Sequence, residues 1–312
     1  MARYAGIAVF VNRIFKRGSM KKARLLHVTT GLFQKMASLL FVLVFFVISA
    51  TAMADNLSEG AKSFREGDYA RAHDYLTKAA EEGQVKGYVG LAMLYDEGLG
   101  VKKDHAKSAY WYRKAAEKGD AGAQYNLGVA YAEGMGVRQD YTEAARWYWK
   151  AVDQQHVSAM NNLGNLYSKG KGVRQDYQKA YALYLQAAEK GTASAQFNLG
   201  VMHDLGKGVQ KDPVKAAIWY KRAAERGHPQ AQYNIGLAYW RGEGIEQDYD
   251  KAVENYRKAA EQGLPEAQLL FAEAYELGIG IGQDREKAIY WYKKSAEQGD
   301  PDAKMKLKEL EG

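Results

Sequence analysis

The hexapeptide GVRQDY stands at residues 136–141 and again at 172–177, 36 positions further along. Its aspartate belongs to a longer series with the same spacing: Asp68, Asp104, Asp140, Asp176, Asp212, Asp248 and Asp284. From Asp104 onward, a glycine stands six positions before each aspartate and another stands four before it. A period this regular predicts a repeat array, in which each unit buries its apolar face against its neighbours.

Each unit is predicted to be a pair of helices, exemplified by AGAQYNLGVAYAEG (121–134) and YTEAARWYWKAVDQ (141–154). The segment G-x-G-V-x-x-D lies between them, so the glycines end the first helix and the aspartate N-caps the second. A further glycine closes the second helix at Gly83, Gly119, Gly191, Gly227, Gly263 and Gly299. Gln155 takes that place in the remaining repeat, where we expect a strained or differently shaped turn. GVRQDY is therefore predicted to be a structural element and not a catalytic loop.

Two positions inside the helices predict close packing. The middle of the first helix holds only Ala92, Gly128, Gly164, Gly200, Gly236 and Ala272. Glycine costs about 1 kcal/mol relative to alanine within a helix, so we expect a neighbouring helix to approach closely there. The second helix carries Tyr112, Tyr148, Tyr184, Tyr220, Tyr256 and Tyr292. Aromatic residues at a constant position indicate a core rather than a cofactor site.

The repeated pattern A-x-x-x-L-G-x-x-Y-x-x-G-x-G-V-x-x-D-x-x-K-A-x-x-W-Y-x-K-A-A-E-x-G resembles the Sel1-like repeat, a relative of the tetratricopeptide repeat. Repeats 121–156, 193–228 and 229–264 are closest to it, whereas Leu183 and Asn255 depart from it in the tryptophan position. The resemblance implies an all-α fold, a right-handed α-solenoid of antiparallel helix pairs. It also implies a scaffold or adaptor for other proteins.

The period and the resemblance together predict four parts of the chain. Residues 1–54 are predicted to be a signal peptide, 55–84 a first helix pair closer to the tetratricopeptide repeat, and 301–312 a C-terminal capping helix. Six Sel1-like repeats are predicted between them, at 85–120, 121–156, 157–192, 193–228, 229–264 and 265–300.

The basic character of the chain is confined to its leader. The formal net charge is +7, but residues 1–54 contain eight basic and no acidic residues, which leaves 36 basic and 37 acidic residues in the remainder. The repeats therefore provide no electrostatic case for binding nucleic acid, and no such partner is predicted.

The leader is typical of a secretory signal. Basic residues precede the run ASLLFVLVFFVISATAMA (37–54), whose last three residues match the small-x-small pattern of signal peptidase sites. Cleavage is predicted after Ala54, with Met20 as an alternative native start. The competing hypothesis is an uncleaved membrane anchor, although the strongly apolar part, Leu39–Ile48, is shorter than the ~20 residues that span a bilayer. We expect a periplasmic or secreted protein, and the lack of cysteine excludes a lipoprotein anchor.

No enzyme is predicted, and no cofactor or metal. Ser168 and Lys171 match the S-x-x-K motif of serine acyl enzymes, but neither S-D-N nor K-T-G follows. The histidines after the leader, His73, His105, His156, His203 and His228, lack the i, i+3 or i, i+4 spacing of a helical metal site. Some cysteine-rich Sel1-like proteins have been described as β-lactamases, so a hydrolase of that kind is the least favoured hypothesis for a chain without cysteine.

Four positions of the first helix vary among the repeats while their neighbours stay constant. Their spacing of i, i+4, i+7 and i+8 puts them on one side of the helix, here called the variable face. They are Val89, Met93, Asp96 and Glu97; Tyr125, Val129, Ala132 and Glu133; Asn161, Asn165, Ser168 and Lys169; Phe197, Val201, Asp204 and Leu205; Tyr233, Leu237, Trp240 and Arg241; and Leu269, Glu273, Glu276 and Leu277.

The variable face collects large aromatic residues, which favours a binding role over simple drift of solvent-exposed positions. By analogy with tetratricopeptide arrays, first helices line a concave groove that faces the partner. The predicted partner-binding residues are Tyr125, Val129, Phe197, Val201, Tyr233, Leu237, Trp240 and Arg241. Trp149, in a position otherwise held mostly by basic residues, is predicted as a separate contact on the outer face.

Besides the least favoured hydrolase, these observations lead to two functional hypotheses. The first is a non-catalytic, exported Sel1-like scaffold that mediates protein–protein interaction in the bacterial envelope. The alternative is binding of an envelope glycan, either peptidoglycan or exopolysaccharide, because rows of aromatic rings also stack on sugars. The identity of the partner and the oligomeric state are left open.

Overall fold

The computed structural model describes residues 56–311, and all regular secondary structure in that range is helical. The predicted signal peptide and its cleavage site lie outside the described residues. The chain divides into two compact units, Met1–Gln139 and Asp140–Gly312. Each unit is built from helices that pack on the next helix along the chain. The predicted all-α fold of consecutive helix pairs is confirmed in both.

The described part of the first unit has five helices. They are α1 (Asn56–Glu66), α2 (Tyr69–Glu81), α3 (Val85–Glu97), α4 (His105–Glu117) and α5 (Ala121–Glu133). In this unit α3 and α5 are first helices of their repeats, and α4 is a second helix.

The described part of the second unit has ten helices. They are α6 (Tyr141–Asp153), α7 (Val157–Lys169), α8 (Tyr177–Glu189), α9 (Ala193–Leu205), α10 (Pro213–Glu225), α11 (Pro229–Arg241), α12 (Tyr249–Glu261), α13 (Pro265–Leu277), α14 (Arg285–Glu297) and α15 (Pro301–Glu311). The first helices of the repeats are α7, α9, α11 and α13, and α15 follows as a cap.

The helix boundaries fall where the capping residues predict them. The carboxylate of Asp248 accepts a hydrogen bond from the backbone N–H of Lys251, with an N···O distance of 2.9 Å, and the other aspartates of the series cap their helices in the same way. The first helix α11 ends at Gly242, whose φ of 68° lies in the left-handed region. Both ends of each helix are thus specified by local sequence.

Gln155 confirms the expected strain in the one repeat that lacks a closing glycine. Its φ is 63°, and it is the one non-glycine residue with positive φ in the described chain. The corresponding glycines lie at φ between 78° for Gly83 and 103° for Gly299. The turn therefore keeps the shape of the glycine turns, at the cost of a backbone conformation that L-residues disfavour.

The predicted close approach in the first helix is confirmed, and the second-helix tyrosine is its cause. A Cβ atom placed on Gly200 would lie 2.5 Å from Cδ1 of Tyr220, and one on Gly236 would lie 2.6 Å from Cε1 of Tyr256. The ring of each tyrosine therefore lies directly against the glycine of its own repeat. The small residues of the first helices and the tyrosines of the second helices thus contact each other at these positions. This contact lets the first helix pack closely on the second.

The core consists of short side chains between these tyrosines. A buried apolar residue precedes the small position of each first helix, at Leu91, Leu127, Leu163, Leu199, Ile235 and Phe271. Alanine pairs near the end of the second helices are buried as well, for example Ala259 and Ala260. The alanines allow close helix packing around the larger apolar residues.

Candidate protein-binding face

The hydroxyl groups of three core tyrosines reach the variable face. In the second unit, Tyr184 donates to Asn165 Oδ1 at 2.7 Å and the Tyr220 hydroxyl lies 3.3 Å from Asp204 Oδ2. Tyr292 makes the same kind of bond to Glu276. The ring of each tyrosine is buried, and its oxygen orients a residue of the variable face. Sequence reasoning assigned these tyrosines to the core and missed this second role.

An apolar centre occupies the variable face of α9 and α11. It consists of Phe197, Val201, Tyr233, Leu237 and Trp240, all half-buried. Their inner sides pack against the core around Tyr220, Tyr256 and Ile235, while their outer sides stay open to solvent. These five residues were predicted to bind a partner, and the structure brings them together.

Aromatic contacts hold the rings of the apolar centre in place. Phe197 stacks on His228 with ring centroids 4.6 Å apart and an interplanar angle of 16°. Trp240 makes an edge contact with Tyr249 at 4.8 Å and lies 6.3 Å from Tyr256. A ring restrained in this way loses little conformational entropy on binding, which favours a role as an anchor.

An amide end adjoins the apolar centre on the α7 side. It consists of Asn161, Asn165 and Asn198, and the side chain of Asn198 donates to Asn161 Oδ1 at 3.2 Å and to Asn165 Oδ1 at 3.3 Å. These bonds join the first helices of neighbouring repeats. Asn161 is buried, whereas Asn165 and Asn198 are partly open to solvent, and amides of this kind suit the backbone of an extended peptide.

An acidic end adjoins the apolar centre on the other side, at α13 and α15. It consists of Glu273, Glu276 and Glu309. Lys306 Nζ lies 3.4 Å from Glu276 Oε1 and 3.7 Å from Glu309 Oε2. Burial raises the pKa of Glu273, the charge of Lys306 opposes that shift, and the nearby Glu276 carboxylate reinforces it. Lys306 thus pairs with Glu276 and Glu309, while its charge acts on Glu273 without forming an ion pair.

The first unit carries the predicted residues Tyr125 and Val129, which are 8% and 5% exposed. They offer little surface to a partner in this structure.

On α3 of the same unit, Asp96 pairs with Nδ1 of His105 at 2.9 Å. A small depression beside that pair is lined by Tyr112 and the buried Ser108 among others.

The two remaining predicted residues are exposed. Arg241 lies at the edge of the apolar centre, 3.7 Å from Glu243 Oε2, with about half of its side chain open to solvent. Trp149, on α6, is 38% exposed, and its Nε1 lies 3.2 Å from the Tyr167 hydroxyl. Trp149 is therefore held by a hydrogen bond and presents part of its ring to solvent.

The two residues of the S-x-x-K match, Ser168 and Lys171, make separate contacts in the structure. Lys171, the other member of the S-x-x-K match, lies over the ring of Tyr141 with Nζ 3.4 Å from the hydroxyl oxygen. The backbone carbonyl of Ser168 accepts a hydrogen bond from Gln175 at 2.9 Å, so the serine belongs to a helix end. Within the described residues, no cluster of three or more potential metal ligands is present.

His203 occupies a position that holds tyrosine in the other full repeats, at Tyr95, Tyr131, Tyr167, Tyr239 and Tyr275. It is buried, with Nε2 3.3 Å from the Tyr181 hydroxyl, and its Nδ1 has no hydrogen-bond partner among the described residues. Burial lowers the pKa of His203, and the charge of Lys215 lowers it further, while Asp212 opposes the shift. In the tyrosine repeats the equivalent lysine lies over the ring, as Lys251 does over Tyr239 at 5.6 Å.

We expect the substitution His203→Tyr to make stability less sensitive to acid. Because the folded-state pKa of His203 lies below its unfolded value of about 6.5, the stability due to the neutral ring is complete above that pH. It falls as the pH drops below 6.5 toward the folded-state pKa. Urea unfolding at pH 7.5 and 5.5 should show a larger loss for the wild type than for the variant. Equal losses would contradict a buried neutral His203.

Comparisons with known proteins were consistent with this architecture. The family model for the Sel1 repeat matches residues 48–84, 85–120, 121–156, 157–192, 193–228, 229–264 and 265–300. A Sel1 repeat protein from Oxalobacter formigenes is similar in structure, with a TM-score of 0.72, 35% identity, and coverage of 78% of this chain and 97% of that one.

A second similar structure is c5321, a protective antigen of uropathogenic Escherichia coli strains that displays an SLR fold. It has a TM-score of 0.63 and 35% identity, over 81% of this chain and 63% of that chain. The present chain thus spans somewhat under two thirds of that protein. No curated protein sequence matched the chain.

Proposed function

Because the chain belongs to the Sel1 repeat family, we propose that it is a non-catalytic scaffold that binds a protein partner through the variable face. Sel1 repeat proteins are generally protein-interaction scaffolds. The part of this chain proposed to do so is the apolar centre in the second unit, with the amide and acidic ends beside it. Arg241 lies at its edge.

The observation that carries this proposal is the state of Phe197, Tyr233 and Trp240. Each ring packs on the core with one side and is partly exposed to solvent on the other. Large aromatic residues and arginine dominate the energetics of protein interfaces, particularly when they are already held in their bound conformation. Three partly exposed aromatic rings on adjacent helices do not stabilise a surface that faces only solvent, so they indicate a binding role.

We place the protein in the periplasm, or outside the cell, on the basis of its leader sequence. The basic segment, the apolar run and the Ala52-Met53-Ala54 site support export followed by cleavage. Among the described helices, none has the length and hydropathy needed to cross a bilayer. The leader is thus the basis for proposing that the scaffold acts in the bacterial envelope.

Affinity capture from envelope extract with residues 55–312 tests the proposal. A double variant, Tyr233→Ala/Trp240→Ala, removes two anchors, each expected to contribute about 2 kcal/mol. The control is Tyr290→Ala, which removes an aromatic ring that is 53% exposed on a second helix. We expect one protein to be captured by the wild type and by the control, and its recovery to fall at least tenfold with the double variant. Equal recovery with a folded double variant would rule out the apolar centre as the binding site.

Glycan binding is the second candidate, supported by the partly exposed rings of Trp149 and Trp240. Tryptophan rings with one open side are suited to stacking on sugar rings. Retention of the chain on protease-treated peptidoglycan or exopolysaccharide, with loss of retention in Trp149→Ala or Trp240→Ala, would favour this alternative. A chromogenic β-lactam assay with Ser168→Ala as control tests the hydrolase hypothesis.

A further inference from the structure

The variable face of the second unit, together with Asn198 and Glu309 beside it, changes its chemistry in order along the repeats. The amide end lies on α7 and α9, the apolar centre on α9 and α11, and the acidic end on α13 and α15. Neighbouring parts contact or influence one another, since Asn198 of α9 bonds to α7 and the charge of Glu273 acts on Tyr233 of α11. The three parts therefore form one continuous surface with two different ends.

The charges on this surface are separated. The carboxylates Glu273, Glu276 and Glu309 lie at one end, where Lys306 pairs with two of them. The other cations of the surface, Lys169 and Arg241, lie on α7 and α11. Asp204 on α9 accepts a hydrogen bond from Tyr220, and Arg241 pairs with Glu243. The acidic end is therefore the largest group of carboxylates that a ligand cation can reach, which favours one orientation of a bound segment.

Glu273 has the strongest requirement for a ligand cation. Its carboxylate is half-buried and, among the residues that the structure describes, makes no hydrogen bond or ion pair. Glu276, in contrast, is held by the Tyr292 hydroxyl and by Lys306. Leaving a half-buried carboxylate unpaired is unfavourable, and a guanidinium or ammonium group from a ligand relieves that cost.

We propose that this surface binds an extended polypeptide segment with two or more large apolar side chains flanked on one side by lysine or arginine. The apolar side chains lie on the apolar centre, the basic side chains reach Glu273 and Glu309, and the backbone meets the amide end. This inference rests on the proposed function, because it specifies the partner class of the same surface. It excludes an acidic or uniformly apolar segment as the preferred ligand.

The size of the surface sets the length of the segment. Packed helices are spaced by about 10 Å, so three steps from α9 to α15 cover roughly 30 Å. An extended chain rises about 3.3 Å per residue, and a segment of about nine residues is therefore long enough to contact both the apolar centre and the acidic end.

Selection from a displayed library of random dodecapeptides, with residues 55–312 as bait, tests the inference. We expect the enriched peptides to share large apolar residues with lysine or arginine consistently on one side of them. Moving the basic residues of a selected peptide to its other end should weaken binding at least tenfold, and added salt should weaken the binding of the original peptide.

The double variant Glu273→Gln/Glu309→Gln provides the second readout. We expect it to bind selected peptides at least tenfold more weakly, whereas the control Glu254→Gln, which removes an exposed carboxylate from the second helix α12, should bind them normally. Enriched peptides without basic residues, or normal binding by the double variant, would overturn this inference and leave the proposed function standing. If the folded wild type enriches no peptide, this inference is wrong, and so is the proposal that the apolar centre binds a peptide segment of its partner.

Discussion

Gly244→Ala is expected to lower the free energy of unfolding by roughly 3 kcal/mol or more. Gly244 lies in the turn before α12 at a φ of 72°, where a residue with a Cβ atom is disfavoured by about 1–2 kcal/mol. The added Cβ atom would also lie 2.1 Å from the carbonyl oxygen of Pro213, at the start of α10. Because that atom belongs to the backbone of a capped helix, it has no rotamer by which to move away, and the overlap adds about 1–3 kcal/mol.

Gly227→Ala is the matched control for this substitution. Gly227 has a similar φ of 80°, but a Cβ atom added there meets no heavy atom within 4 Å. Its loss of stability should therefore be limited to the backbone contribution, about 1–2 kcal/mol. Urea unfolding of both variants, followed by circular dichroism at 222 nm, separates the two effects. Equal losses would mean that the turn does not pack against the preceding repeat as the structure has it.

Tyr256→Ala is the second substitution with a large expected effect. The side chain is 1% exposed and lies against Gly236, between the core and the apolar centre. Truncating a buried aromatic residue of this size costs about 3–5 kcal/mol, and a neighbouring glycine has no side chain to fill the space. We also expect the variant to bind a partner of the apolar centre less well, because Trp240 and Tyr233 both have ring centroids 6.3 Å from Tyr256.

Two further variants isolate the cause of that loss. Tyr256→Phe keeps the ring that packs on Gly236 and should retain most of the stability. Tyr290→Ala removes a tyrosine that is 53% exposed and should change the free energy of unfolding by about 0.5 kcal/mol or less. A thermal or urea unfolding series over the three variants checks the order. If Tyr256→Phe is as destabilised as Tyr256→Ala, the packing of the ring is not the source of the effect.

The regular features of this fold were predictable from the sequence because they depend on local chemistry. The aspartates accept hydrogen bonds from the N–H groups two or three residues ahead, and the closing glycines adopt a backbone that other residues disfavour. Both effects act within a few residues, so a pattern such as GVRQDY specifies where helices start and stop without reference to the rest of the chain. Even the strain at Gln155 follows from such a local rule.

A hydrogen bond that recurs between neighbouring repeats was not predicted from the sequence, although the sequence contains a signal for it. Buried glutamines at the start of the first helices donate to a carbonyl of the preceding second helix: Gln124 to Ala116, Gln196 to Ala188, Gln232 to Ala224 and Gln268 to Ala260. Their spacing of 36 or 72 residues marks them as structural. Glutamine is ordinarily a surface residue, so composition gives no reason to expect it in the core.

The candidate site was predicted only in outline. Helical spacing placed four variable positions of each first helix on one face, and the apolar centre is found there. The same spacing treated Tyr125 and Trp240 alike, whereas one is 8% exposed and the other is half-buried and open to solvent. The hydroxyls of Tyr184, Tyr220 and Tyr292, which orient residues of the variable face, came from positions assigned to the core.

The sequence by itself therefore determined the helix pairs, their caps, their period and the family, since all of these follow from contacts within a few residues or from a pattern repeated in the chain. Tertiary structure alone decided which variable residues stay accessible, which carboxylates find a partner, and which glycines cannot be replaced. The reason is that burial and electrostatic pairing depend on distances between helices 30 or more positions apart, as for Glu276 and Lys306. Those distances are set by the packing of neighbouring repeats together.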